Sequence, residues 1–197
     1  MDETLPNLIV AYHGCDKKLR DRVAGGHSEL TKSENEYDWL GHGIYFWEHG
    51  YARALEFAQE RRAHPKGSTR IEEPSVLGAV LSLGYCLDLL DSHFLNYVKS
   101  AHRGFVASLV ESEKIPQNSG GADRLYRRLD CAVIEYVHAS YKERGMKIFD
   151  SVRSVFFEGQ PLYPGAGFRT KNHIQICVRN PACILGYFIP SEERNSN

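Results

Sequence analysis

The sequence predicts an α+β fold, and three observations carry that reading. Short apolar or alternating runs with the period of strands lie toward both ends of the chain. Amphipathic segments of helical period lie between them, and Gly- or Pro-containing breaks mark the boundaries. The length of 197 residues suits one domain with its own core, read as residues 1–190, with 191–197 a disordered tail.

The first strand is read at Leu8–Tyr12, LIVAY, and His13-Gly14 are expected to end it. Asp16–Ala24 is read as a helix, with Leu19 and Val23 at i, i+4 and Gly25-Gly26 as its stop. A polar and aromatic loop, Lys32–Trp39, then leads through Gly41-His42-Gly43 into Ile44-Tyr45-Phe46-Trp47, an apolar aromatic run that favours a strand. Tyr51–Arg62 places Ala54, Leu55 and Ala58 on one helical face, and His64–Glu73 reads as an exposed loop. The run from Val76 to Leu90 divides at Gly84 into a strand up to Leu83 and a second short element.

From Asp91 to about Tyr141 the texture changes. Phe94, Leu95, Val98, Phe105, Val106, Leu109 and Val110 recur with helical period, as do Leu125, Leu129, Ala132, Val133, Tyr136 and Val137. The break IPQNSGG separates them, so residues 91–145 are read as a helical hairpin with no strand inside it. Lys147–Phe157, His173–Val178 and Cys183–Ile189 complete the strands.

Composition narrows the function classes. A formal net charge of −1 gives no global attraction to nucleic acid, although a local basic patch is compatible with it. The N-terminal stretch lacks a basic n-region, and no apolar run reaches the length of a membrane span, so a cytoplasmic protein with no membrane partner is expected. Five cysteines, odd in number and without a CxxC pair, read as scattered thiols in a reducing compartment. No His/Cys spacing suggests a metal. The cluster Arg124, Arg127 and Arg128 reads first as a solvated helix face and second as a docking surface for an acidic or nucleic-acid target.

No GxSxG, Walker loop, GxGxxG after a strand or HExxH occurs. Four separated segments instead end strands with polar or aromatic groups: Tyr12-His13-Gly14, the loop closing in Gly41-His42-Gly43-Ile44-Tyr45-Phe46, Glu158-Gly159, and His173-Ile174-Gln175. The order YHG, then GHGIYFWEHGYARALEFA, then VLGAVLSLGYCLDL resembles the catalytic domain of diphtheria-toxin-like ADP-ribosyltransferases, the group that includes the poly(ADP-ribose) polymerases. The resemblance covers roughly residues 8–90, with a weaker echo at 150–190. It implies a split β-sheet core into which the helical hairpin is inserted for target or partner recognition.

The resemblance also implies NAD as co-substrate. His13 would hydrogen-bond the adenosine ribose, Gly14 would hold the nicotinamide carboxamide through its backbone, and Tyr45 would stack on the nicotinamide ring. Tyr12 and Gly43 flank these groups and join the NAD-binding set. The Ser33–Trp39 segment takes the place of the family's donor loop, which puts Ser33, Asn35, Asp38 and Trp39 beside the dinucleotide. The family's third residue, a late-strand Glu, is absent. Gln175, His173 and Glu158 are the candidates for its place, with Gln175 preferred because an amide both donates to and accepts from a ribose hydroxyl. The expected activity is mono-ADP-ribosylation of a protein or nucleic acid by a toxin- or effector-like enzyme, with a silencing antitoxin or inhibitor protein among its expected partners. An NAD glycohydrolase and a catalytically inactive NAD- or ADP-ribose-binding module are the alternatives.

Overall fold

The computed structural model of the chain describes residues 8–65, 70–110 and 114–191. In chain order the elements are β1 (Ile9–Asp16), α1 (Lys17–Ala24), β2 (Ile44–Glu48), α2 (Tyr51–Ala63), β3 (Pro74–Leu81) and β4 (Cys86–Asp88). There follow α3 (Ser92–Ser108), β5 (Asn118–Ser119), β6 (Tyr126–Arg127), α4 (Arg128–Glu143), β7 (Ser151–Phe156), β8 (His173–Val178) and β9 (Ile184–Phe188). Among the described residues the fold is α+β: four α-helices and a seven-stranded sheet of order β4-β7-β8-β2-β1-β3-β9, antiparallel apart from the β4–β7 pair.

Local chemistry accounts for the boundaries. The Asp16 carboxylate accepts from the Lys18 backbone N–H and caps α1, and the Asp91 carboxylate caps α3 in the same way. β1 does not end at His13-Gly14 as expected, because it pairs with β3 from Ile9–Leu81 through Asp16–Pro74. That long ladder holds the His-Gly pair in extended backbone.

The sheet is covered on both faces. On one lie Ala11, Cys15, Ile44, Phe46, Leu77, Ala79, Leu81, Ile176 and Val178, packed with Val23 of α1 and Leu30. On the other, α2 covers Trp47 and Val76. Beside it, α4 packs Ile134, Val137 and Tyr141 on Leu40, Leu87, Phe149, Val152, Phe156 and Cys177. Fully burying one aliphatic or aromatic side chain of this size contributes about 1.5–3 kcal/mol, so each layer is a substantial share of stability.

The hairpin expectation needs two corrections. A two-stranded ribbon, β5 with β6, lies between its helices where no strand was expected. Its second helix is part of the core under the sheet, not an appendage. Among the described residues no helix is long and apolar enough to cross a membrane. The tail beyond residue 191 lies outside the described residues.

Candidate functional site

The continuous ladder thins at one place. β1 and β2 pair at two positions only, Ala11–Glu48 and Tyr12–Trp47, whereas β2 pairs with β8 from Ile44 to Trp47. Past Tyr12 the two strands part, and a cleft of about 1150 Å³ opens there. Its walls include His13, Gly14, Ser33, Asn35, Asp38, Trp39, Gly43, Tyr45, Glu158 and Gln175. Ten sequence-predicted positions, from five separate segments, therefore meet in one cavity. Tyr12 and His173 do not line it. The Tyr12 ring packs edge-on against Tyr51 and Phe188. The His173 ring stacks with Trp39 and Phe156, and its Nδ1 lies 2.7 Å from the Lys171 carbonyl.

Backbone alternation aims Gly14 at the opening. The Val10 carbonyl accepts from His49 N–H, on the β2 side of β1. Residues two apart in a strand point their amide groups the same way, so the N–H and C=O of Gly14 also face β2, where no strand meets them. Gly14 must be glycine because α2 lies against it: a Cβ would stand 2.1 Å from the Ala54 carbonyl oxygen.

His13 spans the gap. Its Nδ1 lies 2.8 Å from the Tyr45 carbonyl oxygen, which can only accept. Nδ1 therefore carries the proton, and in the neutral ring Nε2 is an acceptor. Burial lowers the His13 pKa, against the opposing pull of that carbonyl, so the neutral form dominates at neutral pH.

Tyr45 is anchored at its far end. Its hydroxyl donates to the Gly41 carbonyl at 2.6 Å and accepts from Leu40 N–H at 2.8 Å. Burial raises its pKa well above the ordinary phenol value. Both polar contacts being internal, the ring face is what Tyr45 presents to the cleft.

The loop segment is tied down at several points. Ser33 and Gly43 exchange backbone hydrogen bonds, and Asn35 N–H and Nδ2 donate to Asp38 and Ser33. Burial raises the Asp38 pKa, opposed by Ser33 and Asn35. The Trp39 indole donates to the Leu125 carbonyl, and the Arg127 guanidinium lies 4.3 Å from the Trp39 ring centre. Arg128 pairs with Glu36 at 2.8 Å. Two of the three clustered arginines thus hold the loop in place, which corrects the solvated-face reading.

Gln175 stands on β8 directly opposite Trp47 and Ser154, on the face that carries Tyr45. Glu158 is buried and paired to Arg53 of α2 at 3.1 Å. Arg53 was not anticipated, nor were Glu135 and Arg179. A single charged residue in an amphipathic helix, or just past a strand, carries no spacing signal of its own. Among the described residues no cluster of three His, Cys, Asp or Glu side chains is arranged to hold a metal ion.

No protein-family profile matches the chain. The chain is similar to an uncharacterized protein of Methanocaldococcus jannaschii, 24% identical over 196 aligned residues that cover 89% of this chain and 84% of the archaeal one.

Proposed function

We propose that the protein is a mono-ADP-ribosyltransferase of the diphtheria-toxin-like kind, which cleaves the nicotinamide–ribose bond of NAD and transfers ADP-ribose to a macromolecule. The observation that carries this reading is the meeting of a free Gly14 backbone edge, a neutral His13 acceptor and the Tyr45 ring face where the sheet parts. A primary carboxamide has one acceptor and two donors. The outward N–H and C=O of Gly14 match it, and the Tyr45 ring offers a flat apolar surface to the attached pyridinium. His13 Nε2 is placed to accept from a ribose hydroxyl, and the Gln175 amide to accept from or donate to another.

In the proposed reaction the C–N bond to nicotinamide breaks and its electron pair stays on the departing ring nitrogen. The ribose carbon becomes oxocarbenium-like, the acceptor atom bonds to it, and the acceptor loses a proton. The residues at hand act by binding and orienting, holding nicotinamide away from water. Gln175 bears no charge, so it supplies no base, which favours transfer of a single unit over chain growth.

The test is nicotinamide release from NAD by the purified protein, alone and with whole-cell lysate, while labelled ADP-ribose is followed. Release that needs lysate and labels protein or nucleic acid supports the transferase. Release without lysate, giving free ADP-ribose, replaces it with a glycohydrolase. Binding of NAD without release replaces it with an inactive binding module, and absence of binding removes the reading.

A further inference from the structure

Tyr45 faces an open seam, and a strand residue at such an edge has no neighbour across the gap to fix its ring. Its ring packs against the core beside Leu40 and Cys177, and its hydroxyl is fixed at Leu40 N–H and the Gly41 carbonyl, so the outer end of the ring moves with the Leu40–His42 turn. That turn is held from outside the sheet. Glu135 Oε1, from α4, accepts from His42 N–H at 2.8 Å. Arg179, at the end of β8, donates from Nη1 to the His42 carbonyl at 2.9 Å. The same guanidinium grips Glu135 with both terminal nitrogens, at 2.5 and 3.0 Å.

The fit is close. Gly41 has φ +77°, and a Cβ there would come 2.5 Å from Glu135 Oε1 and 3.1 Å from Arg179 Nη1. A two-pronged, charge-assisted pair of this type fixes direction as well as distance. Burial works to raise the Glu135 pKa, but the Arg179 guanidinium and the His42 N–H outweigh it and leave the carboxyl below its usual range. The turn is therefore clamped between a helix of the insert and the strand that carries Gln175.

The geometry points to Glu135 and Arg179 as positioning residues for Tyr45, acting through the Gly41–His42 turn. The helical insert is then the support of the nicotinamide wall and not a platform for the acceptor. This assignment rests on the NAD reading above. It differs from a general structural role in one respect: loosening the turn disturbs what stacks on Tyr45 and spares what binds elsewhere in the cleft.

The test uses two variants, Glu135→Gln and Arg179→Lys, and two probes, nicotinamide and ADP-ribose, each titrated by calorimetry. ADP-ribose lacks the ring that Tyr45 would face. Both variants are expected to bind nicotinamide about tenfold more weakly, the scale of one weakened charge-assisted contact, with ADP-ribose affinity within about twofold of wild type. Tyr45→Ala should show the same split. A thermal melt accompanies each titration; if Glu135→Gln fails to fold, Arg179→Lys, which keeps the cation and loses the fork, decides the matter. Unaltered affinity for both probes, or equal loss of both, overturns the assignment. A wild-type protein that binds neither probe overturns the NAD reading, and this assignment with it.

Discussion

The imidazole of His13 and the main-chain oxygen of Tyr45 are 2.8 Å apart, although the strands that carry them have stopped pairing. One side chain thus replaces a missing rung of the ladder and turns its remaining nitrogen to the cleft. His13→Ala is expected to lower nicotinamide release by on the order of 100-fold or more while costing about 1 kcal/mol of stability, the net worth of one hydrogen bond. Parallel release assays and denaturant melts measure the two effects. Wild-type turnover should also fall in acid, with a midpoint below 6.5, because burial lowers the pKa of the ring and protonation removes the acceptor.

Tyr45→Phe separates ring from hydroxyl. The ring face survives, whereas the Gly41 carbonyl and Leu40 N–H lose their partner, at about 1–3 kcal/mol. Release should stay within about tenfold of wild type, one such contact being worth roughly that factor. Tyr45→Ala should abolish release. Equal activity of the two variants would mean that the ring face is not used.

Gln175→Ala should reduce turnover far more than His173→Ala, because Gln175 lines the cleft and His173 packs beside Trp39 and Phe156. His173→Ala should instead lower the melting temperature through lost packing. The reverse order in the release assay would move the third position to His173.

His138 is a stability element. Burial lowers its pKa to about 4, and its Nδ1 contacts the Ile134 carbonyl at 2.8 Å. With a folded value below the unfolded 6.5, its contribution is complete above pH 6.5 and is lost as pH falls toward 4, because the unfolded chain takes up the proton first. The loss is on the order of 3 kcal/mol. His138→Gln, which does not titrate, should flatten the acid limb of a melting-temperature profile between those pH values.

Gly14→Ala should be strongly destabilising, by about 3 kcal/mol or more, since the obstacle is backbone that cannot step aside. Gly186→Ala, with nothing within 4 Å of the added carbon, should shift stability by no more than about 0.5 kcal/mol. Thermal melts of the two compare them directly.

Much of this was legible in the chain. His173–Val178 alternates and forms β8 with those same ends; the division at Gly84 separates β3 from β4; and the IYFW run lies within β2. Periodicity reports burial, and burial is what these elements share. The continuation of β1 through His13-Gly14 was hidden because its cause is pairing with β3, sixty residues away in places and silent in local pattern. The β5–β6 ribbon is too short for any period to register. Arg53, Glu135, Arg127 and Arg179 act through partners distant in sequence, with Glu158, Trp39 and each other, so nothing beside them in the chain marks them out.

The two-position contact between β1 and β2 has a mechanical consequence. The sheet consists of a four-strand leaf, β4-β7-β8-β2, and a three-strand leaf, β1-β3-β9, stitched together by Ala11–Glu48 and Tyr12–Trp47. Among the amides of the central strands, those along that suture belong to the shortest pairing, so within the sheet of the free protein hydrogen exchange should be fastest there. A bound molecule that bonds to Gly14 on one leaf and rests on Tyr45 of the other would add a further stitch beside that of His13. Such a ligand would make the two leaves breathe as one.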